Sequence, residues 1–521
     1  MSITKDSKLE LLYDSDQSTS SADAIHDMQA GSESGHPGPP LETVTYGQLY
    51  KLADGLEECF RKRSVERHKK VLILGRNSAL LTASILALWR LQATVIPVDF
   101  RMTVNEMANI AERVDANLVI VDSTLVDLGE LSEKMGSRAD RILTLAHLAD
   151  LGRVDTAIAS RESQIQNADF QALVILTSGT TGMPKGAVHS YKSLMKNLSE
   201  LGDLVNLTCN KVVLLPLPVS HIFGLEVLMI ALKTRAAVVF CDLDPASFVK
   251  AINTHRPHII AGVPTIYGAL LMQGKEVVHL DRAEVLLSGG APLPIPMARQ
   301  FEAEFGKRLN NGYGSTESKI ICLNLDGPLE SVGKPIPPGK INIIDEAGNS
   351  LPDGQTGEIF IESKLLMDEY LNQPERTAEV LTENGYRTGD IGHLADSYLF
   401  ISGRAKEMII VAGNKVFPVE VEQVLSRHPL VKEVAVTGQD HQRLGQIVKA
   451  TIVVADADLG AALTGEDETE AKAAREEIIK GLKEFSKENL KRELRPMVWD
   501  LRALSNPLPK TRSGKVDKKL L

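Results

Sequence analysis

A loop rich in glycine and hydroxyl side chains, Thr177–Gly186, is the segment of this sequence best suited to chemistry. It reads Thr-Ser-Gly-Thr-Thr-Gly-Met-Pro-Lys-Gly and follows the apolar run Leu173–Leu176. Its glycines permit close backbone approach, so that backbone N–H groups and hydroxyls can converge on anionic oxygens. Lys185 adds a positive charge suited to phosphate. The loop does not fit the Walker A pattern. We predict that it binds phosphates; the alternative is a flexible surface turn.

Further segments carry residue types that bind nucleotides or stabilise negative charge. Each is non-specific alone, because glycine turns, single histidines and basic tails are common. The segments are Pro216–His221, Ser288–Pro292, Asn311–Glu317, Tyr386–Asp390 and Pro509–Lys515. In this order, together with the loop, they resemble the motifs of the adenylate-forming superfamily, which includes acyl-CoA synthetases, adenylation domains of peptide synthetases and beetle luciferases. The resemblance covers nearly all of the chain from about Thr45 onward.

The resemblance implies an ATP site. The Gly-rich turn Ser288–Pro292 would lie under the adenine, and Tyr313 would stack near it. Asp390 would accept hydrogen bonds from both ribose hydroxyls, and Arg404 would contact the ribose or a phosphate. The predicted ATP-binding residues are Thr177, Ser178, Gly179, Thr180, Thr181, Gly182, Lys185, Gly289, Gly290, Ala291, Asn311, Gly312, Tyr313, Gly314, Asp390 and Arg404.

Catalysis is assigned by the same resemblance to Lys515, Thr316, Glu317 and His221. Glu317 would be a Mg²⁺ ligand, because a carboxylate beside a triphosphate is unfavourable without a divalent cation and Mg²⁺ prefers oxygen ligands. Thr316 would donate to the α-phosphate. Lys515 would stabilise charge on the substrate carboxylate and the α-phosphate during transfer. The alternatives are a solvated Glu317 and a plain basic tail around Lys515.

His221 follows the apolar segment that begins at Pro216. The resemblance places this histidine at the carboxylate end of an acyl pocket, where it would orient the substrate or gate the pocket. A satisfied core histidine is an equal alternative. Many relatives have an aromatic residue where this chain has Ser220, so the shape of the pocket stays open. The segment also lacks the aspartate that holds the amino group in amino-acid-activating relatives, which argues against an amino-acid substrate.

A mobile C-terminal domain is also implied by the resemblance. The hinge would be Lys406, two residues after Arg404. Rotation would withdraw Lys515 and bring the loop around Gly413 toward a thiol channel, so that one site serves two reactions. The alternative for Lys406 is an exposed lysine in a strand turn.

The length, charge and cysteine spacing of the chain exclude several classes of protein. The chain has 521 residues, of which 43% are hydrophobic and 24% charged, with a formal net charge of -10. A single core stops growing at roughly 250–300 residues, so we expect at least two domains. The acidic balance argues against nucleic-acid partners. Four widely spaced cysteines favour a reducing cytoplasm over a disulfide framework or zinc site. The apolar stretch Val212–Leu232 is interrupted by Pro216, His221 and Glu226, so no transmembrane segment is expected.

Apolar runs of strand length alternate with helical patterns from Thr45 to Glu330 and predict doubly wound parallel sheets of an α/β fold. Shorter strands after Glu330 predict a small antiparallel barrel, and the remainder predicts a small α+β domain. The predicted strands include Leu118–Val121, Leu173–Leu176, Val212–Leu215, Ala237–Cys241, His258–Gly262, Val285–Ser288, Ile341–Ile344, Gly357–Ile361, Tyr398–Ile401, Met408–Val411, Val431–Thr437 and Val448–Val454.

The predicted domains follow from these changes of pattern. Residues 1–40 form a disordered lead-in, because Ser, Asp, Gly and Pro dominate the segment from Ser15. Residues 41–404 form the N-terminal adenylate-forming domain, and residues 405–521 form the mobile C-terminal AMP-binding-enzyme domain. The acidic segment Asp456–Glu470 is expected to be an exposed loop.

The leading hypothesis is an AMP-forming acyl-CoA synthetase that uses ATP and Mg²⁺ to activate a fatty or aryl acid and transfers the acyl group to coenzyme A. A close rival loads the acyl group onto the phosphopantetheine of a carrier protein. A non-catalytic nucleotide or acyl-adenylate sensor is a third reading, which the joint presence of Lys185, Glu317, Asp390 and Lys515 disfavours. The sequence specifies neither the acyl group nor an oligomeric state.

Overall fold

The structure is a computed structural model that describes residues 23–27, 43–152, 169–177, 185–337, 339–463, 468–511 and 516–521. Within these residues the chain forms four β-sheets with helices packed against them. The predicted α/β class is confirmed. No helix in this part of the chain combines the length and the apolarity needed to span a membrane.

The strands are β1 Asp23–Asp27, β2 Thr43–Thr45, β3 Lys70–Leu74, β4 Thr94–Val98, β5 Leu118–Val121, β6 Ile142–Thr144, β7 Gln171–Thr177, β8 Lys185–Ser190, β9 Val212–Leu215, β10 Ala237–Phe240, β11 Ile259–Gly262, β12 Val285–Ser288, β13 Leu309–Ser315, β14 Lys319–Leu323, β15 Lys334–Pro335, β16 Lys340–Ile344, β17 Gly357–Glu362, β18 Glu369–Tyr370, β19 Leu381–Thr382, β20 Gly385–Ala395, β21 Tyr398–Arg404, β22 Ile409–Val411, β23 Asn414–Val416, β24 Val431–His441, β25 Gly445–Val454 and β26 Val498–Arg502.

The α-helices are α1 Tyr46–Lys62, α2 Ala79–Arg90, α3 Val104–Arg113, α4 Leu128–Met135, α5 Leu145–Gly152, α6 Tyr191–Leu204, α7 Ile222–Lys233, α8 Pro245–His255, α9 Pro264–Gln273, α10 Ile295–Phe305, α11 Pro374–Val380, α12 Pro418–Leu425, α13 Ala457–Ala462 and α14 Glu468–Asn489. Sequence signals explain several boundaries. For example, Thr45 and Gln48 form a capping box that starts α1.

The first sheet has the strand order β18-β8-β7-β4-β3-β5-β6. Strands β3 to β7 pair in parallel, and β4 is buried along its whole length, as expected for a strand covered on both faces. Strand β8 breaks the parallel pattern by pairing antiparallel with β7. The predicted phosphate loop therefore connects the two strands of a hairpin, with its ends in register at the pair Thr177 and Lys185.

The second sheet has the order β15-β14-β13-β12-β11-β9-β10-β1-β2. Its inner strands β10, β9, β11, β12 and β13 are parallel, as predicted. The parallel run ends where β13 turns back into the antiparallel strand β14. This hairpin carries the segment Asn311–Glu317 at the carboxyl edge of the sheet.

Strand β1 corrects the predicted lead-in. Asp23–Asp27 pairs parallel with β10 and antiparallel with β2, and it buries Ala24 and Ile25. The expectation of disorder over residues 1–40 is therefore wrong for these five residues; the other residues of that segment lie outside the described part. Two buried apolar residues are too short a pattern to stand out from a polar segment, but the edge of a ready-made sheet supplies the missing hydrogen bonds.

The third sheet has the order β16-β17-β20-β19, with β21 also paired to β20. A small antiparallel barrel was predicted after Glu330; the pairings of this sheet are all antiparallel, as that prediction requires. The long strand β20 contains the segment Tyr386–Asp390, and β21 ends at Arg404. This sheet thus brings the predicted ribose contacts to one hairpin.

The C-terminal part forms a sheet of order β23-β22-β25-β24, with β26 parallel to β25. Its own hydrophobic core includes Val421 of α12 and Leu482 of α14. The expected loop Asp456–Glu470 is wrong in part, because Ala457–Ala462 is a helix and α14 begins at Glu468. The Asp456 side chain accepts hydrogen bonds from the N–H groups of Asp458 and Leu459, so an acidic residue here starts a helix instead of extending a loop.

Candidate active site

A tight turn between β13 and β14 presents Thr316 and Glu317. Ser315 and Ser318 hold the turn through reciprocal hydrogen bonds, at 3.0 Å and 3.1 Å, from each backbone N–H to the other residue's Oγ. Gly314 has no room for a side chain, because an added Cβ would lie 2.0 Å from the carbonyl oxygen of Lys319. The predicted glycine is thus required by close backbone packing, and the turn has little freedom to change shape.

The carboxylate of Glu317 is held by a tyrosine that sequence reasoning missed. Tyr370 Oη donates to Glu317 Oε1 at 2.5 Å, and the N–H of Met367 donates to the Glu317 carbonyl oxygen at 2.7 Å. Burial and the negative charge of Glu317 both raise the pKa of Tyr370, which keeps the phenol protonated as a donor. Lys185 Nζ lies 4.8 Å from the centre of the Tyr370 ring. Tyr370 therefore links the end of the phosphate loop to Glu317.

The oxygen chemistry around Glu317 fits the predicted magnesium. The described residues contain no group of three or more His, Cys, Asp or Glu side chains that could hold a metal ion among themselves. Mg²⁺ in phosphate-transfer sites is usually bound by one or two carboxylates together with substrate phosphates and water. A single carboxylate beside the phosphate loop matches that donor set, provided that a nucleotide supplies the remaining oxygens.

Thr316 is fixed through its backbone by a second residue that sequence reasoning missed. His189 Nε2 lies 2.8 Å from the Thr316 carbonyl oxygen, which can only accept, so Nε2 carries the proton. Burial and the positive charge of Lys319 lower the pKa of His189 well below its ordinary value, so that the ring is neutral. His189 lies on β8, directly after the phosphate loop. This hydrogen bond therefore connects the two predicted phosphate-binding segments.

The predicted ribose contacts meet across the third sheet. Asp390 and Arg404 are register partners on β20 and β21, and Arg404 Nε donates to Asp390 Oδ1 at 3.2 Å. Tyr313 Oη donates to the other carboxylate oxygen of Asp390 at 2.8 Å. Burial raises the pKa of Asp390, while Arg404 and Tyr313 act against that rise. Tyr313 and Asp390 were predicted from separate motifs, and the structure joins them directly.

The predicted adenine segment lies at the end of β12, beside β13. The N–H of Gly289 donates to the Gly262 carbonyl oxygen at 3.1 Å, and a Cβ at Gly289 would lie 3.0 Å from the Phe223 ring. Gly290 has a φ of +76°, which favours glycine. Ser288 pairs with Asn311 across the two parallel strands. The predicted residues Gly289, Gly290 and Ala291 therefore follow the end of β12, and Asn311, Gly312 and Gly314 lie within the neighbouring strand β13.

His221 stands at the N-terminus of α7, where its side chain is 40% exposed and its Nε2 lies 3.9 Å from Asp99 Oδ2. This exposure does not match the alternative of a satisfied core histidine. Burial acts to raise the pKa of Asp99, but its hydrogen bonds with Arg101 outweigh burial, so that its pKa is lowered. His221 Nε2 therefore lies near an ionised carboxylate.

Asn77 holds the segment that leads to His221. Its Nδ2 donates to the Leu217 carbonyl oxygen at 2.8 Å, and its Oδ1 accepts from the N–H of Val219 at 3.0 Å. Gly224 packs against the same segment, since a Cβ there would lie 2.3 Å from the Pro218 carbonyl oxygen. No motif marks Asn77 in the sequence, because its partners are 140 and 142 residues away.

The predicted boundary of the C-terminal domain coincides with a short turn. Lys406 lies in a 3₁₀ turn, Ala405–Glu407, between β21 and β22. Lys518 Nζ lies 3.5 Å from Glu407 Oε2 and 2.8 Å from Glu422 Oε1, so the chain end contacts the residue after the predicted hinge. The predicted residues Ser178, Gly179, Thr180, Thr181, Gly182 and Lys515 lie outside the described residues.

Comparisons with known proteins agree with the resemblance drawn from the motifs. The sequence profile of the AMP-binding enzyme family matches residues 23–371, and the profile of the AMP-binding enzyme C-terminal domain matches residues 420–515. A putative acyl-CoA ligase of Bacillus subtilis is 28% identical over 95% of this chain and 97% of its own length. A feruloyl-CoA synthase of an Amycolatopsis species is 28% identical, covering 79% of this chain and 84% of that protein.

A solved structure gives the same result for the fold. The crystal structure of ATP-bound MatB from Rhodopseudomonas palustris superposes with a TM-score of 0.83 at 24% identity, covering 99% of this chain and 97% of MatB. With the two profile matches, this confirms the resemblance drawn from the ordered motifs.

Proposed function

Because the chain belongs to the AMP-binding enzyme family, we propose that it is an AMP-forming acid–thiol ligase that activates a carboxylic acid with ATP and transfers the acyl group to coenzyme A. One observation carries the proposal: Lys185, Tyr370 and Glu317 form one continuous chain of contacts from the end of the phosphate loop to the Thr316–Glu317 turn. The names of the two relatives above support coenzyme A as the thiol.

In the first half-reaction, an oxygen of the substrate carboxylate attacks the α-phosphorus of ATP. The bond from that phosphorus to the bridging oxygen breaks, and pyrophosphate leaves with the electron pair. Thr316 would donate to the α-phosphate, and Lys515 would stabilise charge on the carboxylate and α-phosphate. Mg²⁺ held by Glu317 would neutralise phosphate charge. Such a transfer depends mainly on position and electrostatic stabilisation, and the hydrogen bonds of Thr316 and Glu317 support both.

In the second half-reaction, the thiol sulfur attacks the acyl carbon of the acyl-adenylate. The thiol loses its proton, the bond from the acyl carbon to the AMP oxygen breaks, and AMP leaves. Rotation at Lys406 would withdraw Lys515 between the two steps and bring the loop around Gly413 toward the thiol. Ala412 and Gly413 both have positive φ values, so this loop is a tight hairpin turn that can be moved as a unit.

For the substrate we propose a fatty or aryl acid. The Phe223 ring packs against Gly289, next to His221, and supplies an apolar wall at the predicted carboxylate end of the pocket. The segment Pro216–His221 has no acidic side chain to hold an amino group. The feruloyl-CoA synthase among the relatives is named for an aryl acid. These points favour an acid with an apolar group over an amino acid.

The test is ATP–pyrophosphate exchange across fatty, aryl and short dicarboxylic acids, followed by thioester formation with coenzyme A. We expect exchange with at least one acid and a loss of about 100- to 1000-fold in Lys515→Ala. Lys510→Ala is the matched control, because Lys510 lies in the same segment but pairs with Glu433 at 2.7 Å. It should keep its activity.

Two outcomes would change the proposal. Absence of pyrophosphate release with every acid, with ATP binding intact and unchanged in Lys515→Ala, would favour the non-catalytic sensor. Thioester formation only with carrier-protein phosphopantetheine would replace coenzyme A by a carrier protein as the acceptor.

A further inference from the structure

A fully buried lysine, Lys319, lies directly behind the turn that carries Thr316 and Glu317. The proposed reaction assigns it no role. We propose that Lys319, together with the buried Glu226, is a positioning residue that sets the place of Glu317 for the metal and the phosphates. This inference rests on the proposed function, because it concerns the same ATP site.

The backbone of Lys319 shows that its side chain is needed at this position. Lys319 has a φ of +63°, in the left-handed region where glycine is the least strained residue. It pairs with Ser315 across the hairpin and closes the turn. A lysine that is both strained in its backbone and buried persists only where its surroundings hold it in place. The contacts of its ammonium group therefore explain its presence.

The ammonium group of Lys319 links the turn that carries Glu317 to a second segment that also contacts Glu317. Lys319 Nζ donates to Ser193 Oγ of α6 at 2.9 Å and to the carbonyl oxygen of Leu365. Leu365 begins this second segment, which contacts Glu317 through the Met367 N–H and the Tyr370 hydroxyl. Lys319 is thus bonded within the turn through its backbone and to the facing segment through its side chain.

Glu226 extends this network to the helix that follows His221. Its Oε2 accepts from the N–H of Ile320 at 3.1 Å, and its Oε1 accepts from Asn197 Nδ2 at 2.5 Å. Burial raises the pKa of Glu226 and lowers the pKa of Lys319, and the opposite charge of each residue acts against that shift in the other. Lys319 and Glu226 therefore act on each other through their charges, without a direct ion pair. Hydrophobic side chains would fill this space without desolvating charges, so the two buried charges are explained better by positioning than by stability.

The alternative is that the pair is only a structural element, and a set of variants separates the two roles. The set is Lys319→Met, Glu226→Gln, the double variant, and Lys334→Met as the matched control. Lys334 is exposed on β15 and lies over the Tyr398 ring, away from Glu317. For each variant, thermal unfolding is compared with the dependence of ATP–pyrophosphate exchange on Mg²⁺ and ATP concentration.

We expect Lys319→Met to lower the unfolding temperature and to raise the Mg²⁺ concentration for half-maximal exchange about tenfold, since small displacements in such sites have large effects. The double variant should regain part of the stability, because Glu226→Gln removes the buried charge that Lys319→Met leaves uncompensated, but should keep the altered Mg²⁺ dependence. If Lys319→Met does not fold, the Mg²⁺ dependence of the double variant provides the test. Lys334→Met should match the wild type in both measurements.

Recovery of the wild-type Mg²⁺ dependence in the double variant would show that the pair is only structural and would overturn the inference. Failure of the proposed function is distinguishable, because the wild type would then exchange pyrophosphate with no acid. In that case calorimetric titration with Mg·ATP decides: equal affinities of the wild type and the double variant overturn the positioning role, and an affinity about tenfold weaker supports it.

Discussion

The two halves of the candidate ATP site are built in opposite ways. The turn at Thr316–Glu317 is surrounded by fully buried polar groups, including Lys319 at 0% and Glu226 at 1% exposure. The predicted ribose contact Asp390 is instead paired with Arg404, whose side chain is 61% exposed at the predicted edge of the C-terminal domain. Both halves carry charged groups, but only those of the first half are removed from solvent.

This difference matches the demands of a two-step reaction. Phosphate transfer gains most from groups that need no reorganisation, and buried hydrogen bonds supply that rigidity. In the proposed reaction the predicted domain boundary would change position between the two steps, and exposed ion pairs are weak enough to exchange partners. The comparison predicts that variants in the buried half impair the first half-reaction, whereas variants at the boundary act on the second step or act weakly.

The largest effect is expected for Glu317→Gln. The substitution removes the carboxylate charge of the predicted metal ligand, so ATP–pyrophosphate exchange should fall about 100- to 1000-fold. Glu330→Gln is the matched control, because Glu330 forms an exposed pair with Arg299. A loss of less than about threefold in Glu317→Gln would break the comparison, since the buried half would then not govern the first step.

A change at the boundary should separate the two half-reactions. Proline fixes φ and removes an N–H group, so Lys406→Pro should restrict rotation in the turn Ala405–Glu407. We expect thioester formation to fall about tenfold or more, while pyrophosphate exchange stays within about threefold. Lys406→Ala, which leaves the backbone free, should keep both rates. Equal loss of both half-reactions in Lys406→Pro would contradict a hinge at this residue.

A smaller effect is expected for Arg404→Met. Exposed ion pairs contribute about 0.2–1 kcal/mol, so the KM for ATP should rise only about 1.5- to 5-fold. The unfolding temperature should change by about 1 °C or less, as for the exposed control Arg299→Met. A KM increase above about 50-fold would mean that Arg404 contacts the nucleotide far more strongly than its exposure suggests.

The smallest effect is a pH-dependent stability change at Asp368. Burial raises the pKa of Asp368 from 3.8 to about 6. The folded state therefore binds this proton more tightly than the unfolded state, and the resulting stability is present below pH 4 and is lost as the pH rises through 6. Asp368→Asn should leave the unfolding temperature nearly unchanged at pH 4 and raise it by about 1–3 °C at pH 8.

Asp353→Asn, at an exposed turn, is the matched control and should show no such difference between pH 4 and pH 8. A stabilisation by Asp368→Asn that is equal at both pH values would mean that the carboxylate is not penalised by its burial.

Local patterns in the sequence determined much of the architecture. Continuous apolar runs predicted strands such as Val212–Leu215 and Val285–Ser288 with the observed bounds, because strands buried on both faces have few polar residues. The order of the motifs identified the family, since residues that contact one nucleotide keep their types and their sequence order. Asp390 and Arg404 were likewise predicted from the sequence as neighbouring contacts, and the structure pairs them across one hairpin.

Only the tertiary structure identified the residues that hold the motifs in place. His189, Tyr370 and Glu226 contact the turn and the strand that follows it from segments 53 to 127 residues away. Lys319 lies in the hairpin itself, but its ammonium group bonds to the distant Ser193. In the sequence they resemble ordinary strand and helix residues, because a buried polar group is defined by partners that only folding brings near. Sequence alone thus determined the family and the chemistry that we propose, and the long-range packing decided which side chains hold the predicted site residues in place.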